Sequence, residues 1–231
     1  MLSVTGLNAY YGRSHIVRDL SFDLTAGSVV GLLGRNGVGK TTALRALMGL
    51  VRRLGSVTLN GQSIGALPSN KVSIAGLAYV PQGRLLFPHL TVEENLRLAW
   101  HGTRFGPDEL ARGMDHFPPL REMLHRKAGT LSGGEQQMVA VGRALINGPK
   151  AILMDEPSEG LSPLFVERVG SIITQIKATN VAILLVEQSL SLALGVCDKV
   201  CFVEKGTIVN SCAPNGPRLQ EFLERHLGLN T

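Results

Sequence analysis

The sequence has 231 residues, 44% of them hydrophobic and 18% charged, which is typical of a globular protein with one large core or two modest lobes. No apolar run reaches the length of about 18 residues that a membrane span requires, and no basic segment precedes an apolar one at the N-terminus, so we expect a cytosolic chain. A net charge of +5 permits contact with nucleic acid, an anionic membrane surface or nucleotide phosphates, although lysine and arginine are scattered along the chain.

The first 27 residues are predicted to form two short strands around Tyr10-Tyr11-Gly12. Tyr11 lies beside a glycine and close in sequence to a glycine-rich segment. Its ring can stack on a purine base, an interaction worth about 1 to 3 kcal/mol. A tyrosine packed in the core fits the same spacing, so both interpretations stay open.

The glycine-rich segment follows a buried apolar strand, Val29–Leu33, and precedes a helical pattern. Residues 34–42 read G-x-x-x-x-G-K-T-T, which is the phosphate-binding P-loop in its required context. The glycines let successive N–H groups turn inward, and the helix N-terminus adds positive charge. Lys40 would contact the β and γ phosphates of a nucleotide, and the Thr41 hydroxyl would bind the bridging Mg²⁺. We therefore predict a phosphate site here, in preference to a glycine turn without a ligand.

Two strands are predicted after this helix, at residues 56–59 before an Asn-Gly hairpin turn and at 74–80 before Pro81-Gln82-Gly83. Gln82 would then lie at the carboxyl end of a strand beside the P-loop. Its amide can bind Mg²⁺ or orient water there. Glutamines in loops are usually solvated, so this assignment depends on the other motifs.

Thr91 and Glu94 form a capping box that opens a helix predicted to run to about Trp100. The segment that continues to about residue 127 is less periodic, and Pro107 and Pro118-Pro119 interrupt it. These breaks indicate short helices. We regard this middle region as a candidate second lobe.

The sequence LSGGEQQ at residues 131–137 precedes a helical pattern. Ser132 and Glu135 form a second capping box, so Gly133 and Gly134 leave backbone N–H groups bare at a helix N-terminus, which is an anion site. A chain with one P-loop does not obviously need a second phosphate-binding helix end. We therefore predict that this end serves a nucleotide held by another subunit.

Residues 151–157 read AILMDEP, an apolar strand that ends in two carboxylates. Asp155 at the strand tip fits a Mg²⁺ ligand, and Glu156, one residue further, fits a general base for water. A carboxylate at a strand end is commonly only a helix cap. The P-loop in the same chain favours the functional interpretation.

The rest of the chain is predicted to alternate between helix and strand. A helix begins at Ser162-Pro163, and a buried strand over 181–186 ends in Glu187-Gln188. A short linker leads to a hairpin at 200–209, and an amphipathic helix follows at 217–227. Three cysteines lack the spacing of a zinc site, and their odd number favours reduced thiols.

The combination of the P-loop, LSGGEQQ and ILMDEP at these separations resembles the ATP-binding-cassette ATPases over essentially the whole chain. The P-loop alone is shared by many nucleotide hydrolases, but the pair LSGGEQQ and ILMDEP is specific. The resemblance implies an α/β P-loop NTPase fold with a RecA-like core, an antiparallel β subdomain and an inserted α-helical subdomain. It implies that residues 1–231 form a single cassette domain. Within this domain, the core with the β subdomain would occupy about 1–87 and 149–231, and the helical subdomain with the signature motif about 88–148.

The resemblance also implies ATP hydrolysis with ATP and Mg²⁺. Tyr11 matches the adenine-stacking aromatic, and Gln82 matches the glutamine that touches Mg²⁺ and the membrane subunit. The implied site residues are, for catalysis, Glu156, Lys40 and Gln188; for nucleotide binding, Tyr11, Gly34, Asn36, Gly37, Val38, Gly39, Lys40, Thr41, Thr42, Gln82, Ser132, Gly133, Gly134 and Gln136; and for Mg²⁺, Thr41, Gln82 and Asp155.

The motifs at 81–96, 158–161 and 186–188 resemble more narrowly the shorter ATPase of branched-chain amino-acid importers, a group that also includes urea and short-amide importers. This resemblance implies a head-to-tail dimer with a second ATPase subunit, a longer paralogue, in which each ATP lies between one chain's P-loop and the partner's signature helix. It further implies two transmembrane permease subunits, indirectly a substrate-binding protein, and a peripheral location at the cytoplasmic face of the inner or plasma membrane. No nucleic-acid partner is expected.

Two positions depart from the family pattern. Gln188 stands where most cassettes have a histidine, and a glutamine cannot carry a charge near neutral pH. Ser162 lies near the place of the usual D-loop aspartate. Three alternatives stay open: import of urea or short amides, a soluble cassette ATPase acting on nucleic acid or ribosomes, and a nucleotide sensor without turnover.

Overall fold

The computed structural model of the protein describes residues 1–228. Strands form where apolar residues run continuously or alternate along the sequence, and helices form between the strands. Within that range the strands are β1 Leu2–Tyr11, β2 Ser14–Leu24, β3 Val29–Leu33, β4 Arg52–Leu59, β5 Gln62–Ser63, β6 Leu77–Val80, β7 Ala151–Asp155, β8 Ala182–Val186, β9 Lys199–Glu204 and β10 Thr207–Cys212. The α-helices are α1 Lys40–Leu47, α2 Ser69–Ile74, α3 Val92–Arg97, α4 Pro107–Met114, α5 Gly133–Leu145, α6 Pro163–Ala178, α7 Leu190–Val196 and α8 Leu219–Leu227. Short 3₁₀ helices lie at Pro118–Met123 and Ala128–Thr130.

A six-stranded sheet in the order β10-β9-β3-β8-β7-β6 forms the centre of the molecule. Its neighbouring strands are parallel except β10, which is antiparallel to β9. Every residue of β3, β7 and β8 is buried, as continuous apolar strands covered on both faces must be. A separate antiparallel sheet has the order β2-β1-β4-β5, so the predicted α/β fold with an additional antiparallel β part is confirmed.

Two hydrophobic clusters cover the two faces of the central sheet. On one face, α1 packs between the two sheets, and Leu44 and Leu47 are fully buried there. On the other face, α5, α6 and α8 contribute Val139, Ile173 and Phe222 to the second cluster. Helices α3 and α4 join this second cluster, so the segment inserted between β6 and β7 shares its core with the sheet. The boundaries at 88 and 148 stay a prediction.

Several elements differ from the sequence prediction in their bounds. The strand expected at 74–80 begins only at Leu77, because α2 precedes it and Gly76, with a φ of +108°, turns the chain between them. The helix opened by Thr91 ends at Arg97, before Trp100. Helix α7 occupies the expected linker between β8 and β9. Strands β1 and β2 are 10 and 11 residues long, so the prediction of short strands was wrong.

The three cysteines are free thiols in a mostly buried setting. Burial raises the pKa of Cys197 to about 12 and that of Cys201 to about 11, which keeps both protonated and unreactive near neutral pH.

Residues 1–228 contain no helix with the length and hydropathy needed to cross a membrane.

Candidate functional site

The strand order brings four separate sequence motifs to one edge of the central sheet. Strand β8 lies between β3 and β7, and β6 lies beyond β7, all parallel. Because the carboxyl ends of parallel strands share an edge, the P-loop after β3, Gln188 after β8, Asp155 and Glu156 at the end of β7, and Gln82 after β6 converge there. They surround a crevice of about 510 Å³. Its lining residues are Ile16, Asn36, Gly37, Gly39, Lys40, Thr41, Thr42, Arg45, Gln82, Glu156, Glu159 and Gln188.

The P-loop wraps around the N-terminus of α1. Gly39 is the residue before the helix and has a φ of +106°, a conformation that residues with side chains rarely adopt. A Cβ atom at this position would also lie 3.3 Å from the carbonyl oxygen of Ile16. The sequence requirement for glycine therefore follows from both backbone conformation and space.

Lys40 is 5% exposed, and its ammonium group turns back onto the loop. Its Nζ donates to the carbonyl oxygens of Gly34, at 2.5 Å, and Arg35, at 3.1 Å. Burial lowers the pKa of Lys40, while the nearby carboxylates of Glu156 and Asp155 act in the opposite direction. A phosphate in the crevice would compensate the buried ammonium more fully than two neutral carbonyl groups do.

The carboxylate of Asp155 is fully buried at the end of β7. Oδ1 accepts a hydrogen bond from the Thr41 hydroxyl at 2.9 Å, and Oδ2 accepts one from the Tyr79 hydroxyl at 2.9 Å. Burial raises the pKa of Asp155, and these two hydrogen bonds offset part of that effect. Burial and the proximity of Asp155 likewise raise the pKa of Tyr79 far above its ordinary value, so the phenol stays a hydrogen-bond donor.

Glu156 has a φ of +50°, which is unusual for a residue other than glycine and is a form of backbone strain common at functional sites. Its backbone N–H donates to the carbonyl of Val186 at 2.8 Å, which fixes the residue beside β8. Its Oε2 accepts hydrogen bonds from Gln188 Nε2 at 2.7 Å and from Gln82 Nε2 at 3.2 Å. Both amides therefore hold the same oxygen.

Glu187 is 2% exposed, and its carboxylate accepts hydrogen bonds from two segments beside the crevice. Its Oε1 accepts from the backbone N–H of Ser158 at 2.9 Å, and its Oε2 accepts from those of Gln188 and Ser189 at 3.0 and 3.1 Å. Three N–H donors satisfy this buried carboxylate. The glutamate thereby links the loop after Glu156 to the segment that carries Gln188.

Tyr11 lies at the margin of the crevice. It ends β1, is 43% exposed, and its hydroxyl accepts a hydrogen bond from the Arg45 guanidinium at 3.3 Å. An exposed ring excludes the alternative of a core tyrosine. Its proposed contact with a base is consistent with this position, and Arg45 itself lines the crevice.

The signature residues lie outside the lining of this crevice. Ser132 caps α5 by accepting from the Glu135 backbone N–H at 3.3 Å, and Glu135 Oε2 accepts from the Ser132 N–H at 2.7 Å, which completes the predicted capping box. Gln136 Nε2 donates to the carbonyl of Ala128 at 3.1 Å. Within one chain, the P-loop and the N-terminus of α5 thus belong to different surfaces.

A second concavity, the groove, lies on the helical side of the molecule. It has a volume of about 670 Å³ and runs between α2, β6 and the C-terminal ends of α3 and α5. Ile74 and Leu98 line it and are 59% and 56% exposed. Tyr79 and Arg143 also line it.

Sequence reasoning identifies the residues that belong to motifs and misses those that depend on tertiary contact. Tyr79, Arg45 and Glu187 are the main omissions. Tyr79 lies three residues before Gln82 on the same strand end, but its hydrogen-bond acceptor is 76 residues away in sequence. No local pattern in the sequence marks Glu187 as buried.

The chain is similar in sequence and in structure to known proteins. The family model described as ABC transporter matches residues 17–159. The high-affinity branched-chain amino acid transport ATP-binding protein BraG of Pseudomonas aeruginosa is 41% identical over 214 residues, covering 90% of this chain and 91% of its own length. The probable branched-chain amino acid transport ATP-binding protein LivF of Archaeoglobus fulgidus is 39% identical over 212 residues, covering 90% of both chains. A solved structure of an ATP-binding subunit of an ABC transporter superposes with a TM-score of 0.80 at 28% identity, covering 99% of this chain and 94% of that one.

Proposed function

Because the chain belongs to the ABC transporter family and is an ATPase, we propose that it is the ATP-hydrolysing subunit of an importer for branched-chain amino acids. The observation that carries the reaction is the convergence of Lys40, Asp155 and Glu156 on one crevice. The cargo assignment rests on the two relatives, both of which are described as branched-chain amino acid transport proteins.

The nucleotide phosphates bind in the P-loop, where inward-facing N–H groups and the N-terminus of α1 meet them. Lys40 then leaves the carbonyls of Gly34 and Arg35 and pairs with the β and γ phosphates. Tyr11 stacks on the adenine at the margin of the crevice. Its contact with Arg45 keeps the ring near α1.

Three oxygen donors fit a magnesium ion at the crevice: the Thr41 hydroxyl, the Gln82 amide oxygen and the Asp155 carboxylate. The fully buried Asp155 charge, hydrogen-bonded by neutral hydroxyl groups, fits the counter-charge of such an ion. Gln82 uses its amide nitrogen on Glu156, so its oxygen can turn toward the metal. When bound, Mg²⁺ neutralises charge that develops on the β and γ oxygens.

Glu156 acts as the general base. A water oxygen attacks the γ-phosphorus, the bond between that phosphorus and the ADP oxygen breaks, and the water proton passes to the carboxylate. Because Gln82 and Gln188 both donate to Oε2, the other oxygen, Oε1, is the one that would accept the water proton. Glu187 keeps Gln188 in place through its backbone N–H contact.

The signature residues Ser132, Gly133, Gly134 and Gln136 complete the site of a second ATPase subunit. They lie outside this chain's own crevice, and the capped N-terminus of α5 suits an anionic ligand. The working unit is therefore a head-to-tail pair, with a longer paralogue as the partner. Each ATP is held between one subunit's P-loop and the other's signature helix.

The groove receives a segment of a transmembrane permease subunit. Its exposed apolar residues Ile74 and Leu98 form a surface suited to a partner helix. Two such permeases attach the ATPase pair to the cytoplasmic face of the membrane. A substrate-binding protein on the opposite side selects the cargo, and no nucleic acid takes part.

The test is uptake of labelled leucine by the chain reconstituted in vesicles with its two permease subunits, the ATPase paralogue and the substrate-binding protein. We expect ATP-dependent leucine uptake that excess isoleucine inhibits and urea does not. Glu156→Gln is the control, because it retains ATP binding and loses uptake. Uptake of urea or a short amide instead would overturn the cargo, and ATP hydrolysis stimulated by nucleic acid or ribosomes would overturn the transport role.

A further inference from the structure

Tyr79 connects two regions of the protein that are otherwise separate. It is the third residue of β6, at the edge of the central sheet. Tyr79 lines the groove, and its hydroxyl donates to the buried carboxylate of Asp155 at the end of β7, next to Glu156, which lines the crevice. No sequence motif includes it, and its role rests on the proposed nucleotide site.

The hydroxyl groups of Tyr79 and Thr41 hold the two oxygens of one carboxylate. Thr41 donates to Oδ1 and Tyr79 to Oδ2 of Asp155, each at 2.9 Å. With a donor on each oxygen, the carboxylate plane cannot turn without breaking a hydrogen bond. Without the tyrosine hydroxyl, Oδ2 would be a buried acceptor that has lost its donor, and the plane would be free to rotate.

The hydroxyl of Tyr79 is itself oriented by its surroundings. The hydroxyl donates to Asp155 at 2.9 Å, and the nearby Arg45 guanidinium lowers the pKa of Tyr79 against the larger effect of burial, which raises it. The ring is half-buried and packs against the hydrophobic cluster that includes Leu44 and Leu47 of α1. A hydroxyl donor carried on a packed ring is suited to setting the direction of a metal ligand.

We propose that Tyr79 is a positioning residue that orients the Asp155 carboxylate for the magnesium ion, with its ring packed against the hydrophobic cluster on the α1 face of the sheet. It does not touch the metal or the phosphates. Its contribution is to metal affinity, and not to binding of the nucleotide itself.

The test uses the full chain with Glu156→Gln, so that ATP is bound without turnover, and compares it with the same chain carrying Tyr79→Phe. Mn²⁺ serves as the probe, and its affinity in the presence of ATP is measured by electron paramagnetic resonance. Loss of one hydrogen bond to a charged group should weaken Mn²⁺ binding by about 10-fold. ATP affinity in the presence of a metal chelator should change less than about twofold.

Tyr10→Phe is the matched control, because it removes a tyrosine hydroxyl from the adjoining antiparallel sheet, where Tyr10 stacks on His15. It should leave Mn²⁺ affinity unchanged. Equal Mn²⁺ affinity in the Tyr79→Phe chain and its parent would overturn the proposal. An equal loss of metal-free ATP affinity would also overturn it, since that indicates general damage to the crevice. If the parent chain bound no ATP at all, the proposed function would fail instead.

Discussion

Gln188 and Gln82 donate to the same oxygen of Glu156, and both are neutral amides. A histidine at position 188 could add positive charge beside the γ-phosphate as negative charge develops. We predict that Gln188→His raises ATP turnover by about threefold to tenfold, since a charged hydrogen bond is stronger by ~1 kcal/mol.

The measurement is steady-state phosphate release by the chain assembled with its ATPase partner. Gln175→His, a change at an exposed position on α6, is the control and should leave turnover unaltered. An unchanged or slower Gln188→His complex would show that glutamine is already the better residue in this crevice.

Burial raises the pKa of Asp155, so ionisation of this carboxyl in the folded chain costs stability. Below about pH 4, the ordinary range of aspartate, the carboxyl is protonated in both the folded and the unfolded chain, and its contribution to stability is complete. As the pH rises through the raised pKa of the folded chain, this contribution is lost. We predict that Asp155→Asn stabilises the nucleotide-free chain by about 1 kcal/mol at pH 7, or ~3 °C in Tm, while hydrolysis is lost. Thermal unfolding at pH 7 and at pH 4 should show this gain shrinking at the lower pH.

Asp198 supplies the contrasting control. Burial alone would raise its pKa, but the Lys177 ammonium at 2.5 Å and the Val29 N–H at 2.9 Å outweigh burial and lower it. Its contribution to stability is therefore present above the ordinary aspartate range and is lost as pH falls through the lowered pKa. Asp198→Asn should destabilise the chain at pH 7, and a loss of stability in both variants would contradict this account.

Helices α4 and α5 approach each other through glycines. A Cβ atom at Gly142 on α5 would lie 2.4 Å from the carbonyl oxygen of Gly113 on α4. Cβ atoms in real proteins essentially never approach another heavy atom within 3.0 Å. We predict that Gly142→Ala destabilises the chain by about 1 to 3 kcal/mol, because the backbones must separate. Thermal unfolding should show a lower Tm.

Gly195 on α7 is the matched control, since no atom lies within 4 Å of a Cβ atom built there. Alanine favours helix over glycine, so Gly195→Ala should stabilise the chain by about 1 kcal/mol. A shift of both variants in the same direction would show that helix propensity, and not the close approach of α4 and α5, decides the outcome.

Among the helices and strands, the sequence predicts the long elements correctly. It fails for short elements whose hydrophobic pattern fits both a helix and a strand. The three buried strands β3, β7 and β8 follow directly from their apolar runs. Helix α2 has only six residues, and its alternating Val72 and Ile74 also fit a strand. In α7, serines and a glycine obscure the helical period, although Ser189 caps the helix. At the site, the motif residues are predictable, whereas the roles of Tyr79 and Glu187 depend on partners far away in sequence.

For the whole molecule, the proposed head-to-tail pair assigns the P-loop and the signature helix of one chain to two different nucleotide sites, and the two lie apart in this chain. We predict that Ser132→Arg leaves ATP binding to the isolated chain within about twofold of the parent, while turnover of the assembled pair falls by more than about 10-fold. In the proposed pair, the added side chain would block the helix end that meets the partner's nucleotide. Fluorescence of a labelled ATP and phosphate release measure the two effects.

Thr91→Arg controls for the lost helix cap, because Thr91 and Ser132 cap their helices through the same arrangement with a glutamate three residues later. Both variants lose a cap worth about 1 kcal/mol, but only the signature variant should lose turnover. Equal loss in both would assign the effect to helix stability. Weakened ATP binding in the isolated Ser132→Arg chain would place the signature helix at this chain's own crevice.

The pairing of β6 with β7 has a consequence for how the chain folds. These strands are neighbours in the sheet, although Val80 and Ala151 are separated by about 70 residues. Closing a flexible loop of that length costs about 4 kcal/mol of chain entropy before the strand contacts form. Helices α3, α4 and α5 shorten the loop if they associate first, so the inserted segment serves folding speed as well as shape. We therefore expect the helical insertion to assemble before β6 pairs with β7, so that Gln82 reaches Glu156 only after the two strands have paired.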